Sequence, residues 1–319
     1  MRNTRIVTII CWAVSALALT GLVLWFFLGS VFNFSWGFDF GIGNFDVVGE
    51  HSVSVSNIDS LSIDWTSGAV YIGTHSGNEI QVTEFARRNL RDGQELSLNT
   101  DGGTLSIYFT ENMHRFSIGF NNMPTKQLEV LIPYTLSDNF DRFHVSTISG
   151  RVLVSDIGAD DFNVSTTSGR IELRDITAAQ VNASTTSGRI ELTDIEAEEV
   201  QLRTVSGRIE ARRTEADSLR TNTTSGRHEL SGDFGYVNAR SVSGRIEITS
   251  TSVPESLTAR ASSGRISITV PNEGAITVQY STGSGRFSSQ MPITTHGGAG
   301  AQFDLSTTSG RIEIFELRG

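Results

Sequence analysis

The tripeptide Ser-Gly-Arg occurs nine times between residues 149 and 311, with its glycines at Gly150, Gly169, Gly188, Gly207, Gly226, Gly244, Gly264, Gly285 and Gly310. Successive spacings are 19, 19, 19, 19, 18, 20, 21 and 25 residues. A steady period near 20 restricts the fold to a solenoid in which each repeat is one coil stacked on the last. Propeller blades need about 40 residues, and leucine-rich repeats need a leucine-and-asparagine signature that is absent here.

One coil can be read from residues 162–176, FNVSTTSGRIELRDI. Phe162, Val164 and Thr166 alternate with Asn163, Ser165 and Thr167; beyond Gly169, Ile171 and Leu173 alternate with Arg170, Glu172 and Arg174. Two period-two runs joined at a glycine predict two short strands and a bend. The glycine serves either a positive φ or a close approach of two backbones. The first inward position holds Phe162, Val181, Val200, Leu219, Val237, Leu257 and Ile276, and the second Val164, Ala183, Leu202, Thr221, Ala239, Ala259 and Val278. After the glycine come Ile171, Ile190, Ile209, His228, Ile246, Ile266, Phe287 and Ile312. Stacked in register, these positions form ladders in an all-β, parallel β-solenoid of about 19–20 residues per coil, with strands about 4.8 Å apart. An outward arginine ladder would repel itself, and the neighbouring column of Glu172, Glu191, Glu210, Glu229 and Glu247 neutralises it.

The regular coils span 141–319, with a glycine-rich insertion at 290–302 that is expected to project from or cap the distal end. Residues 51–140 read as irregular coils of the same type, with strand-glycine-strand units at 61–72 and 96–109 and loops at 84–94 and 111–127.

Residues 6–28 carry no charge over 23 positions, enough for one transmembrane α-helix across a hydrocarbon core of about 30 Å. Arg2 and Arg5 precede the span and no Lys or Arg follows until Arg87. The positive-inside rule therefore makes 1–5 a cytoplasmic tail and 6–28 a signal anchor, with the C-terminal domain extracytoplasmic. The alternative is a cleaved signal peptide ending at Ala16-Leu17-Ala18. Residues 29–50 form an aromatic and glycine-rich segment in which Phe32, Phe34, Trp36, Phe38 and Phe40 alternate with other residues. It suits either the lipid interface or a strand capping the open end of the stack.

The N-terminal span, the segment IDSLSIDWTSGAVYI, the recurring TTSGRIEL units and the closing GAGAQFDLSTTSGRIEI together resemble the bacterial DUF4097 family of β-strand-repeat adhesin-type proteins, over roughly residues 50–319. The resemblance implies a β-solenoid surface domain with an adhesin role, and it supplies no catalytic residues.

A net charge of −10 argues against a nucleic-acid partner, which needs a basic face to displace phosphate counterions. The single cysteine, Cys11, leaves no intramolecular disulfide and no cysteine-based zinc site. Asp156, Asp175 and Asp194 stand 19 residues apart and suggest either polysaccharide cleavage or calcium binding. Each is followed by isoleucine, and the column stops at Arg213, so they read as corner residues bonded to the following turn. The six histidines, at 51, 75, 114, 144, 228 and 296, form no close metal-binding pair. His228, at an inward position, is expected to be a hydrogen-bonded core residue. No catalytic, cofactor-binding or metal residues are assigned, and no cofactor is expected.

The outward hydroxyl pairs Ser165/Thr167 and Ser184/Thr186 give way to Arg203/Val205 and Arg240/Val242. Specificity is expected where the repeat breaks, at Arg203, His228, Arg240 and the 290–302 insertion, with Arg203 and Arg240 as the candidate surface interaction residues. The expected function is a single-pass, membrane-anchored module without catalytic activity. It would meet a cell-envelope component, a glycan or a protein as an adhesin. The alternatives are an envelope-stress sensor or scaffold and, from a different class, a polysaccharide-active β-helix enzyme.

Overall fold

Alternating apolar and polar side chains produce strands throughout the structure, a computed structural model that describes residues 45–110, 124–138, 140–295 and 300–317. The expected tail and transmembrane span and the aromatic run at 32–40 lie outside these residues. Among the described residues there is no helix, and so none long and apolar enough to cross a membrane.

The strands are β1 (Asp46–Ser54), β2 (Ser60–Ser67), β3 (Val70–His75), β4 (Glu79–Ala86), β5 (Ser97–Asp101), β6 (Thr104–Tyr108) and β7 (Lys126–Pro133). They continue with β8 (Phe140–Ser225), β9 (His228–Ser243), β10 (Ile246–Ser250), β11 (Ser256–Ser263), β12 (Ile266–Val270), β13 (Ile276–Ser289) and β14 (Ala301–Glu316). β8 is one extended run that turns corner after corner. From β8 onward the elements pair in parallel and in register: Leu219 lies beside Val237, Val237 beside Leu257, and Leu257 beside Phe303. The apolar ladders fill the interior, where Val164, Ile171, Val181, Ile190, Val200 and Ile209 are at most 1% exposed. Each such side chain contributes roughly 1.5–3 kcal/mol through burial.

The corner glycines answer the choice left open by the sequence. A Cβ on Gly169 would lie 1.7 Å from the carbonyl oxygen of Gly150, one coil below. Close backbone approach is repeated at every level, and at Gly150, Gly188, Gly264 and Gly310 a positive φ of 140°, 153°, 151° and 156° favours glycine as well.

The same contacts give the order of the stack. Gly68 lies over Lys126, Gly150 over Gly68, and the series climbs through Gly264; Gly310 then lies on Gly264, and Gly285 on Gly310. The last coil in sequence is therefore the penultimate level in space. β14 pairs with β11 and β12 on one side and with β13 on the other. The near end repeats this arrangement, because β2 lies between β6 and β8, and β3 between β7 and β8. At the far end the chain goes out to β13 and returns to fill the level beneath with β14; at the near end it lays down β2 and β3 first, goes out to β6 and β7, and passes back over them to start β8.

Three features differ from the sequence reading. Strands β1, β4 and β5 are antiparallel to their partners, with β1 on β4, β4 on β7 and β5 on β6, so the near end carries antiparallel strands as well as coils. The segments 84–94 and 111–127, read as loops, give their first and last residues to β4 and β7 respectively. In β13 it is Val278, not Ile276, that aligns with Phe303 and hence with Leu257. Tyr280 then falls at the second inward position, where it is 47% exposed and stacks on Phe287 with centroids 4.0 Å apart. A terminal level has only one neighbour, so its inward ring faces open space. The 290–302 insertion supplies partial cover: Met291 is buried and Thr294 pairs with Thr277.

Candidate functional site

Each regular coil carries two outward strand faces, and they differ in charge. Beyond the corner glycine, the Ser-Gly-Arg arginines meet the glutamate column within their own strands: Arg189 to Glu191 at 2.8 Å, Arg208 to Glu210 at 2.8 Å, Arg227 to Glu229 at 2.8 Å and Arg245 to Glu247 at 3.0 Å. Where a coil lacks its own glutamate, the arginine reaches the next coil. Arg151, whose coil has Leu153, bonds Glu172 at 2.5 Å, and Arg265, whose coil has Ser267, pairs with Glu313 at 3.5 Å. Burial pushes the Glu172 carboxyl up, but the Arg151 hydrogen bond and the charges of Arg151 and Arg170 more than offset it, holding it below the usual carboxylate range. Arg286, in the terminal coil, is the one repeat arginine without an acidic partner among the described residues.

The face preceding the glycine is different. Its outward residues form a column that runs Arg203, Asn222, Arg240, Arg260 and Ser306, with Val205, Thr224, Val242, Ser262 and Thr308 beside it. Together they line an open trough of about 960 Å³ along the stack axis, and no acidic residue lines it. Arg203 and Arg240 are exposed and make no ion pair among the described residues, whereas Arg260 bonds Asp304 at 2.5 Å. Val205 and Val242 are each 52% exposed. Beneath them, Thr204, Thr223 and Ser241 point inward and are buried. The structure thus brings the two sequence-derived candidates, Arg203 and Arg240, into one depression, two levels apart.

The aspartate column lies at another corner. Asp156, Asp175 and Asp194 adopt φ of 61°, 52° and 57°, and Arg213 takes the next level with φ of 49°. Left-handed backbone at successive levels explains the residue choice, since aspartate tolerates it better than most. The following coil simply omits this residue: Ala211 pairs with Leu230 but Thr214 with Gly232, which accounts for the spacing of 18. The side-chain role differs from the turn bond expected, because the Asp194 carboxylate accepts two hydrogen bonds of 2.6 Å from the Arg213 guanidinium. Burial and the neighbouring charges of Asp156 and Asp194 push the Asp175 carboxyl up. No group of three or more His, Cys, Asp or Glu among the described residues is arranged to hold a metal ion.

His228 lies fully buried at its inward position, with Nδ1 2.8 Å from Thr221 Oγ1, and burial lowers its pKa to about 4. A second buried polar group was not anticipated. Lys126, the only lysine in the chain, is 2.5 Å from Glu84 with both side chains essentially inaccessible. Its ammonium donates to the carbonyls of Gln94, at 2.8 Å, and Phe109, and sits 4.0 Å from the Phe109 ring centroid and 5.0 Å from that of Trp65. The signal was present in the alternation: Lys126 shares inward parity with Leu128, Val130 and Ile132, and Glu84 with Ile80 and Val82.

Stacked parallel coils, a charge-compensated ladder and an uncompensated side trough define an all-β repeat protein of the solenoid type. The chain belongs to the DUF4097 family, described as Toastrack DUF4097, whose profile matches residues 58–315. No curated protein matches it. Among solved structures, a "putative adhesin" from Parabacteroides distasonis ATCC 8503 is similar at 12% identity and a TM-score of 0.50, covering 86% of this chain and 98% of that one. A "putative adhesin" from Bacteroides fragilis NCTC 9343 is also similar, at 12% identity and a TM-score of 0.45, with coverages of 86% and 98%. A "putative lipid binding protein" from Parabacteroides distasonis ATCC 8503 shows 15% identity and a TM-score of 0.40, with coverages of 87% and 98%. At such identities the likeness concerns the fold alone.

Proposed function

We propose that this chain is a non-catalytic, adhesin-like binding module, anchored in the cell membrane by residues 6–28 and presenting its coils outside the cell. The observation that carries this reading is the contrast between two sets of arginines. Those of the Ser-Gly-Arg repeat are tied to glutamates, Arg286 excepted, whereas Arg203 and Arg240 stand exposed in an acid-free trough. Charges left uncompensated on a protein of net charge −10 are available to a partner. The aspartate corner supports no competing chemistry as strongly, because Arg213 occupies the carboxylate of Asp194. The name carried by the Parabacteroides distasonis adhesin-type structure is in line with this reading. Anchorage rests on the uncharged stretch and on the basic residues that precede it.

The test combines topology with adhesion. Protease added to intact cells should remove the coils, and Arg203→Ser/Arg240→Ser cells should lose attachment to envelope or host surfaces while Asp175→Asn/Asp194→Asn cells keep it. Coils fully protected from protease would refute the exterior location. A reproducible glycan-cleaving activity lost with the aspartate pair would refute the non-catalytic assignment.

A further inference from the structure

The trough repeats itself. RTVSGRIE at 203–210 and RSVSGRIE at 240–247 place an arginine and an exposed valine at the same two outward positions, and the coil between carries NTTSGRHE from Asn222. Register pairs Asn222 with Arg240, so the two Arg/Val sites stand two levels apart, about 9.6 Å along the axis at about 4.8 Å per level. Between them Asn222 and Thr224 present neutral hydrogen-bonding groups.

We infer that this trough is a linear binding site for an extended anionic polysaccharide in which every second sugar carries a carboxylate. The inference rests on the trough being the ligand-binding face, as proposed above. Each guanidinium offers a planar fork that matches a carboxylate with two parallel hydrogen bonds. The valine beside it gives a small apolar surface for the C–H groups of a sugar ring. Asn222, Thr224 and Ser262 satisfy hydroxyl-rich neutral units, as buried sugar hydroxyls require. A trough open along the stack admits a polymer rather than a compact metabolite, and two sites engaged by one chain gain through effective concentration. A membrane surface fits less well. Lipid-headgroup adsorption draws on dense basic clusters and inserted large apolar side chains, while this trough has three arginines, one of them paired to Asp304, and only valines as exposed apolar groups.

The experiment titrates the full-length chain with hyaluronan oligosaccharides, where every second sugar bears a carboxylate, and with oligogalacturonate, where every sugar does. Vesicles containing phosphatidylglycerol form a third arm. Wild-type chain should prefer the alternating polymer. Arg203→Ser or Arg240→Ser should each weaken it about tenfold, the loss of one charge-assisted contact. Arg240→Ser combined with Asn222→Arg keeps the charge but halves the spacing. It should weaken the alternating polymer by a similar factor while sparing or improving the fully charged one. If the Arg203→Ser/Arg240→Ser pair leaves glycan binding unchanged, the trough is not the binding face and the underlying reading fails. If the pair abolishes binding but the shifted variant treats both polymers alike, the trough stands and the two-level spacing is wrong. Binding to the vesicles alone overturns the polysaccharide assignment.

Discussion

A methyl group placed on Gly285 would lie 1.9 Å from the carbonyl oxygen of Gly310, so the final Ser-Gly-Arg unit of the chain lies beneath the unit that precedes it. β14 consequently has hydrogen-bonded neighbours on both sides while β13 forms the outer level. Native-state hydrogen exchange should therefore show β14 amides protected as strongly as those of the central coils, with β13 exchanging sooner. Exchange that quickens steadily toward the C-terminus, as in a serially stacked solenoid, would contradict this order.

Gly169→Ala should destabilise the domain by about 1–3 kcal/mol or more, because the new Cβ meets a carbonyl oxygen at 1.7 Å and one coil must separate from the next. Thermal unfolding reads the effect directly. An unchanged midpoint would show that the coils tolerate wider spacing at this corner.

The Lys126–Glu84 pair is inaccessible and held by aromatic rings and backbone carbonyls. Lys126→Met alone should cost about 3–5 kcal/mol by stranding a buried carboxylate. Replacing both partners, with Glu84→Leu added, should restore most of that loss. Chemical denaturation of Lys126→Met, Glu84→Leu and the double variant measures the coupling, and simple additivity of the two substitutions would show that the pair is energetically independent.

His228 sets a pH window. Its pKa falls from the ordinary 6.5 to about 4 because burial disfavours the cation. The unfolded chain therefore takes up the proton first, and stability is fully present above pH 6.5 and lost as pH falls toward 4. The full span corresponds to about 3 kcal/mol. His228→Ile with Thr221→Val removes the proton site and its hydroxyl partner together, and should flatten the stability curve between those limits. The acid loss that remains at lower pH then belongs to carboxylates such as Glu172 and Glu210, whose arginine contacts outweigh burial and keep them ionised in the fold. A curve of unchanged slope in the double variant would assign the window to other groups.

Periodicity made the coil legible because one stacking geometry acts on every repeat. Inward parity marked Phe162, Ile171 and their successors, and the Arg–Glu ladder followed from two outward positions on one strand. Order along the axis was less legible, since spacing along the chain does not say which level a repeat occupies. A clue lay in the quality of the repeats. STTSGRIEI around Gly310 keeps the full pattern that an interior level demands, while STGSGRFSS around Gly285 has lost the glutamate and the aliphatic residue. Relaxation of the pattern marks the exposed end. The antiparallel strands near β1 carry no repeat, and alternation alone is blind to strand direction. As for the trough, the sequence distinguished Arg203 and Arg240 as breaks in a hydroxyl pattern, but their lack of acidic neighbours depends on the adjoining coils.

The most direct measurement is NMR of the arginine side-chain Nε–H groups during titration with a hyaluronan oligosaccharide. Arg203 and Arg240 are expected to shift together and saturably, while Arg189, Arg208, Arg227 and Arg245, each held by a glutamate at 2.8–3.0 Å, stay in place. Shifts confined to the Ser-Gly-Arg arginines, or centred on Arg213 at the aspartate corner, would contradict a ligand-binding trough.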